Sequence, residues 1–415
     1  MAQLARRLGT GDAVVVGLAS MLGAGVFVVL GPASAAAGDA VLVAVVLAGL
    51  VAWANATSTA QLAAAMPTSG GNYAFGRARL GEWPGFVAGW GFVAGKTASC
   101  AAMATTVATY LVGEPWRRPI AAAVVAVLVA VNLLGVQRTA RVARVLLAAV
   151  LVVLLALVVL GLVRGEPSRA LPHGLPAGGV HGVLQGAAIV FFAFAGYARV
   201  ATLGEEVTEP RTTIPRAIRW ALGITAVVYL LVGVAVIGTL GASGAGASSA
   251  PLADTARAVA PGLVPWVRGA AVVAAAGSLL VLLAGVSRTA FAMARDRELP
   301  APLARVGERH AVPWVAEVVI GVVVVVLTLT VDLAGVIAFS SLGVLVYYGI
   351  GHAAAWTQRG AERMSPRWVQ AVGIVACAAL VLSLPVKAIA IGAGVLVVGL
   401  VGRALAHRAR HRARA

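Results

Sequence analysis

Residues 19–34 read ASMLGAGVFVVLGPAS, inside an apolar segment long enough to cross a bilayer as a helix. Gly23, Gly25, Gly31 and Pro32 fall within it. Glycine and proline weaken a helix, and in hydrocarbon there is no water to replace a lost backbone hydrogen bond. A helix interrupted at GAG is therefore expected, with a purpose that offsets the cost of the interruption.

The rest of the chain has the same apolar character. Of 415 residues, 60% are hydrophobic and 11% charged, and apolar runs of about 18 residues or more recur throughout. Stretches such as VLLAAVLVVLLALVVLGLV (145–163) are apolar on every face, which argues for helices rather than the alternating pattern of a membrane β-barrel. The sequence predicts an all-α polytopic membrane protein of twelve spans: 13–36, 40–63, 84–112, 119–137, 143–163, 183–204, 216–240, 264–293, 313–331, 333–356, 368–384 and 386–403. No soluble domain fits between them, so 1–415 reads as a single transmembrane domain. The opening MAQLARRLGTGDAVVVGL is expected to be the first helix rather than a removed leader, because its apolar run continues for a full span without a cleavage-like site.

Charge placement predicts orientation. Of 32 Lys and Arg residues, with those near span edges, which are placed only to within several residues, counted in the adjoining segment, 23 fall in segments that are cytoplasmic if the N-terminus is inside and 7 in outer loops, which leaves Lys96 and Arg199 deeper within spans. Both termini are expected in the cytoplasm. The net charge of +17 then follows from topology, with a basic tail, RALAHRARHRARA, suited to anionic membrane lipids and no call for nucleic acid. Cys100 and Cys377 lie in separate spans and suggest no disulfide, and no zinc spacing, P-loop or HExxH motif is present. No metal or cofactor is expected. The continuous polar pore of a channel and the clustered His, Asp, Glu or Cys of a membrane enzyme are both absent from the pattern.

The interruption in span 1 has a counterpart in span 6, where FFAFAGYARVATLGEE (191–206) loses its aliphatic pattern at Gly196, Tyr197 and Arg199. Spans 1 and 6 begin two five-span halves, about 13–163 and 183–356. Breaks in corresponding helices of two halves point to an inverted repeat around a central binding site. Unwinding frees amide N–H groups that can hold a carboxylate without a permanent charge in the membrane. The alternative at each glycine is close packing of a neighbouring helix.

Four ordered motifs carry a family resemblance: GAGVF in span 1, AQLAAAMPTSGGNYAFGRARLG after span 2, FFAFAGYARVATLGEEVTEPRTTIPRAI around span 6, and SRTAFAMARDRELP ending span 8. With these the chain resembles the amino acid–polyamine–organocation (APC) transporters. The resemblance implies a LeuT-like five-plus-five inverted repeat, with two further helices at about 368–403, and secondary transport of amino acids or related amines in a bacterial cytoplasmic membrane. It would place the substrate carboxylate among Ser20, Met21, Leu22, Gly23, Ala24 and Gly25 and the substrate ammonium at carbonyls near Phe191, Phe192, Ala193, Ala195 and Gly196. Phe192 falls where such transporters carry an aromatic gate, and Glu205, Glu206, Pro210, Pro215 and Arg216 read as inner-gate and helix-start architecture.

The departures concern coupling. Val150 stands where many members carry a lysine tied to coupling, and Ala198 stands at an acidic position of the family pattern. Lys96, about twelve residues or ~18 Å into span 3, is predicted near the midplane, where a lysine can load and release a proton or meet an anionic group. Ser287 and Thr289 on span 8 are the candidates for a sodium site with span 1 carbonyls. With Lys96 at the midplane and no acid there, a neutral amino acid is the expected substrate, coupled to a proton. An ion-independent exchanger and a sodium-coupled carrier are the alternatives.

Overall fold

A computed structural model describes the chain except residues 1–7, 69, 136–139, 172–177, 204–205, 308–309, 311 and 413–415. The described residues are helical throughout. The first predicted span is three helices, α1 (Thr10–Met21), α2 (Gly25–Val28) and α3 (Leu30–Ala37). Pro32 has no N–H to return to the Val28 carbonyl, which accounts for the short gap between α2 and α3. Gly38, at φ 56°, then turns the chain into α4 (Val41–Ala65). The short α5 (Gly71–Leu80) leads to α6 (Glu82–Leu111), α7 (Arg117–Leu133) and α8 (Ala140–Arg164). Span 6 is α9 (Gly179–Phe194), a 3-10 turn at Ala195–Tyr197, and α10 (Ala198–Ala201).

The remaining helices are α11 (Pro210–Ala247), α12 (Pro251–Val259), α13 (Val264–Arg295), α14 (Trp314–Thr330), α15 (Leu333–Trp356), α16 (Arg367–Ser383) and α17 (Val386–Arg412). Helix α11 begins six residues before the predicted edge of span 7, because Pro210 serves as a first-turn proline. Each predicted span thus coincides with a helix or an interrupted helix. Among the described residues, eight helical stretches are long and apolar enough to cross a membrane, while α14 and α16 are shorter apolar helices. Helix α6 has the length, 30 residues, but its Gly, Ser, Thr and Lys content keeps it out of that apolar set.

The composition of each helix matches its neighbours. Val127, Val145, Val152, Leu155, Val163, Trp220, Leu382 and Val398 are exposed along α7, α8, α11, α16 and α17. In water such a surface would aggregate, whereas against lipid it is at rest. The inner helices are built from small residues instead. A Cβ on Gly343 of α15 would lie 2.5 Å from the Gly91 carbonyl oxygen and 2.9 Å from the Gly95 Cα, so α6 and α15 meet backbone to backbone. Cys100 and Cys377 are both free and buried.

Polar side chains tie α4, α15 and α16 together. His352, fully buried on α15, bonds Ser58 Oγ through Nδ1 (2.8 Å) and Asn55 Oδ1 through Nε2 (2.6 Å), and Cys377 Sγ donates to the same Asn55 oxygen at 3.3 Å. A second cluster joins the ends of α5, α6, α13 and α17. Glu298 is bridged to Arg77 (2.5 Å) and to Arg403 (3.2 Å), Arg403 reaches Glu82, and the Tyr73 hydroxyl donates to Asp296. Burial pushes the Glu298 carboxyl above its ordinary range even with Arg403 and Arg77 pulling it down.

Gly343→Ala forces α6 and α15 apart at a contact made of backbone, which cannot step aside. The expected cost is about 2 kcal/mol, read as a lowered melting temperature of the purified protein. Gly349→Ala on the same helix, where a Cβ meets nothing within 4 Å, is the control and leaves the melting temperature where it was.

Candidate functional site

The two interruptions lie against each other. A Cβ on Gly196 would fall 2.4 Å from the Ser20 carbonyl oxygen and 2.8 Å from the Met21 amide nitrogen, so only glycine lets the turn after α9 rest on the end of α1. Gly25 stands opposite Ala193 in the same way, with 2.5 Å from its built Cβ to the Ala193 Cβ. Span 1 is broken at Leu22–Ala24 and span 6 at Ala195–Tyr197.

Side chains from four other helices supply the backbone atoms that the breaks release. The Tyr229 hydroxyl of α11 lies 2.5 Å from the Met21 carbonyl oxygen and 3.0 Å from that of Ala193, so it bridges the two broken helices. Ser278 of α13 donates to the Ala19 carbonyl at 3.3 Å. Tyr348 of α15 reaches the Ala195 carbonyl at 3.5 Å, and Lys96 of α6 donates to the same oxygen at 3.4 Å. The released amides are treated differently: among the described residues, none accepts from the N–H of Gly23, Ala24 or Gly25. One side of the junction therefore offers unused donors and the other a carbonyl already facing a cation.

The predicted site residues are distributed as follows. Met21, Leu22, Gly23, Ala24 and Gly25 all lie at the span 1 break and are buried. The Ser20 hydroxyl is spent on its own helix, on the Val16 carbonyl at 2.8 Å, so its contribution is its backbone. Phe191 packs edge to face on Tyr348, with centroids 5.9 Å apart. Phe192 is 7% exposed, Ala193 abuts Gly25, and Ala195 and Gly196 form the turn. Lys96 occupies the middle of α6 and is 7% exposed.

The span 8 hydroxyls differ from expectation. Ser287 Oγ and Thr289 Oγ1 bond the Leu283 and Gly285 carbonyls of their own helix, at 2.8 and 3.1 Å. The α13 hydroxyl that reaches span 1 is Ser278, nine residues or ~13 Å of helix rise away. Glu205 lies outside the described residues. Its neighbour Glu206 anchors the chain start instead, accepting from the Leu8 amide at 3.1 Å beside a Leu8–Val207 bridge. Val150 is a buried apolar residue of α8.

Ser278 gives no signal in the sequence because serine hydroxyls in apolar helices usually satisfy their own backbone, and Tyr229 gives none because its long-range partners depend on how α11 packs against the breaks. Tyr348 was missed because only the fold brings α15 to the turn of span 6. Glu317 is a further buried group, on α14, where Asn132 Nδ2 donates to it at 2.7 Å.

A helical bundle with a lipid-suited exterior and two interrupted helices meeting inside it is the architecture of a multi-pass membrane protein with an internal ligand site. The profile of the amino acid permease family matches residues 12–404. An uncharacterized transporter of Mycobacterium tuberculosis is 51% identical, over 98% of this chain and 94% of that protein. A branched-chain amino acid permease of Bacillus subtilis is 28% identical over 75% of this chain and 72% of its own length. A chloroplastic cationic amino acid transporter of Arabidopsis thaliana is 29% identical over 85% and 65%. The chain belongs to the amino acid permease family, within the APC superfamily, and is a transporter.

Tyr229→Phe removes one hydroxyl and leaves the Met21 and Ala193 carbonyls short of a donor inside the bundle. A loss of about 2 kcal/mol in stability is expected, measured by thermal or denaturant unfolding in detergent. Tyr229→Phe indistinguishable from the parent would mean that water or another group satisfies both carbonyls.

Proposed function

We propose that this protein is a secondary active transporter that moves a neutral amino acid across the bacterial cytoplasmic membrane by alternating access, coupled to protons through Lys96. The observation that carries the reading is the facing pair of breaks. Unused amides at Gly23, Ala24 and Gly25 suit a carboxylate, and the Ala195 carbonyl, within the same junction, suits an ammonium. An α-amino acid presents those two groups one carbon apart.

The proposed topology has twelve crossings with both termini in the cytoplasm. Its two halves are inverted repeats of the LeuT type over about 13–163 and 183–356, with 368–403 outside them. Interrupted first helices in both halves support this arrangement, as does the excess of Lys and Arg in the inner segments.

The side-chain class follows from charge. Lys96 is the basic side chain that bonds the Ala195 carbonyl of the junction, and among the described residues no carboxylate lies within 4.0 Å of its Nζ. A cationic side chain, as on arginine or lysine, would find no carboxylate partner there among the described residues, whether Lys96 is charged or discharged. An uncharged side chain is tolerated. The branched-chain permease of Bacillus subtilis is a relative whose name agrees with this class.

Phe192, one residue from the Ala193–Gly25 contact, is the proposed gate that closes over the bound substrate. Sodium coupling through Ser287 and Thr289 is less well supported, since both hydroxyls are engaged on their own helix.

The purified protein, warmed with single amino acids, is expected to melt later with neutral ones and unchanged with arginine, because a ligand of the folded state stabilises it by mass action. Stabilisation by arginine alone would overturn the substrate class. Phe192→Ala is expected to slow substrate exchange in proteoliposomes several-fold while changing equilibrium binding less. Equal exchange rates would remove Phe192 from the gate.

A further inference from the structure

We propose that Lys96 and the ammonium of a bound amino acid compete for one seat, the Ala195 carbonyl, so that substrate loading discharges Lys96 and the transporter exchanges amino acid against a proton. This rests on the substrate reading above and adds the sense of the coupling. A lysine at the midplane could equally accompany its substrate across the membrane, so the geometry at Ala195 is what distinguishes the two cases.

Lys96 Nζ lies 3.4 Å from the Ala195 oxygen, in the turn that interrupts span 6. The Tyr348 hydroxyl approaches the same oxygen at 3.5 Å and stacks on Tyr197, with centroids 5.2 Å apart. That oxygen therefore already faces two side chains, one of them a cation. A substrate ammonium reaching the same oxygen would stand roughly 4–6 Å from Nζ, depending on the angle between the two donors. At that separation in a partly buried site, two unit positive charges weaken binding on the order of a hundredfold to a thousandfold. Loss of one proton from Nζ removes the penalty and leaves an amine that still donates.

Among the described residues no carboxylate lies within 4.0 Å of Nζ to let both charges stay. On α6 the titratable neighbour is Cys100, one turn away and buried. On α15 they are Tyr348, then Tyr347, whose hydroxyl accepts from the Asn72 amide at 2.8 Å, and His352, held by Ser58 and Asn55. The turn of span 6 ends at Tyr197, and Arg199, a further basic residue, follows it in α10. The basic residues of the other helices packed on α6, Arg268, Arg288 and Arg295 of α13 and Arg117 and Arg118 of α7, supply no counterion either. Glu317 on α14 accepts from Asn132, and the acids beside α5 and α17, Glu82 and Glu298, are paired with Arg77 and Arg403.

The step balances simply. A zwitterionic amino acid enters, the N–H bond of the Lys96 ammonium breaks, its electron pair stays on Nζ, and the proton leaves to water on the open side. On the other side the amino acid departs and the Nζ lone pair takes a proton from that compartment. The loaded carrier crosses without the proton and the empty carrier crosses with it. A proton gradient directed into the cell then drives the amino acid outward.

The test uses L-leucine and its desamino analogue 4-methylpentanoate, which keeps the carboxylate and lacks the ammonium. With the wild type in weak buffer, leucine binding is expected to release about one proton per molecule, and affinity to rise about tenfold per pH unit while Lys96 is charged in the empty protein. Binding of 4-methylpentanoate releases none. Lys96→Met and Lys96→Gln, both checked for folding by their melting curves, bind leucine without proton release and without that pH dependence. Lys96→Arg, which cannot discharge, binds leucine at least a hundredfold more weakly. In proteoliposomes loaded with leucine, external acid accelerates efflux through the wild type and not through Lys96→Met. Proton uptake on leucine binding, or the same release from Lys96→Met, overturns the competition. Leucine binding to neither the wild type nor the Met and Gln variants overturns the substrate reading itself.

Discussion

Backbone N–H and C=O groups inside an apolar bundle must find partners within the protein, and the arrangement of this transporter follows from meeting that demand at two deliberate breaks. Each break releases groups that a continuous helix would have satisfied. Gly196 lets the two breaks touch, and the Tyr229 hydroxyl, Ser278, Tyr348 and Lys96 then supply donors to carbonyls on both sides. The amides of Gly23, Ala24 and Gly25 are left over. The proposed site for a small zwitterion is thus made of backbone atoms, and the surrounding side chains determine how many of them are already engaged.

Glycine plays two different roles at this junction. At Gly196 and Gly25 the absence of a Cβ is used for contact between helices, and the space beside each is occupied by protein. What GAG leaves available beside Gly25 is therefore unpaired amides rather than empty space. Helix packing and ligand recognition, which the sequence presents as rival explanations, are compatible here because one uses the Cα side of the residue and the other its N–H.

The bundle around the junction is held by two unlike devices. Between α6 and α15, glycine stripes bring backbones together and leave little freedom, which fixes Lys96 and Tyr348 relative to one carbonyl. Around His352 and Glu298, polar networks do the work. Those groups are costly to bury alone and stabilising only when each has its partners. Their location differs as well: the glycine contact lies in the middle of the helices, and the Arg77–Glu298–Arg403 cluster joins helix ends.

The sequence by itself determined what periodicity, composition and breaker residues can encode. An all-helical membrane protein, the positions of twelve helical segments and the interruptions near Gly23–Gly25 and Gly196 were all legible, since each depends on residues adjacent in the chain. The burial of Lys96 in the middle of its helix was legible too, and a cation there is expensive wherever it points. Tertiary structure alone decided which oxygen Lys96 meets, that Tyr229 of α11 spans both breaks, and that Ser278 rather than Ser287 or Thr289 reaches span 1. Those outcomes depend on the rotation and depth of one helix against another, which 3.6-residue periodicity does not specify when a helix is apolar on most faces. A hydroxyl in such a helix satisfies its own i−4 carbonyl until a neighbour's freed carbonyl comes within reach, and the fold decides which neighbour that is.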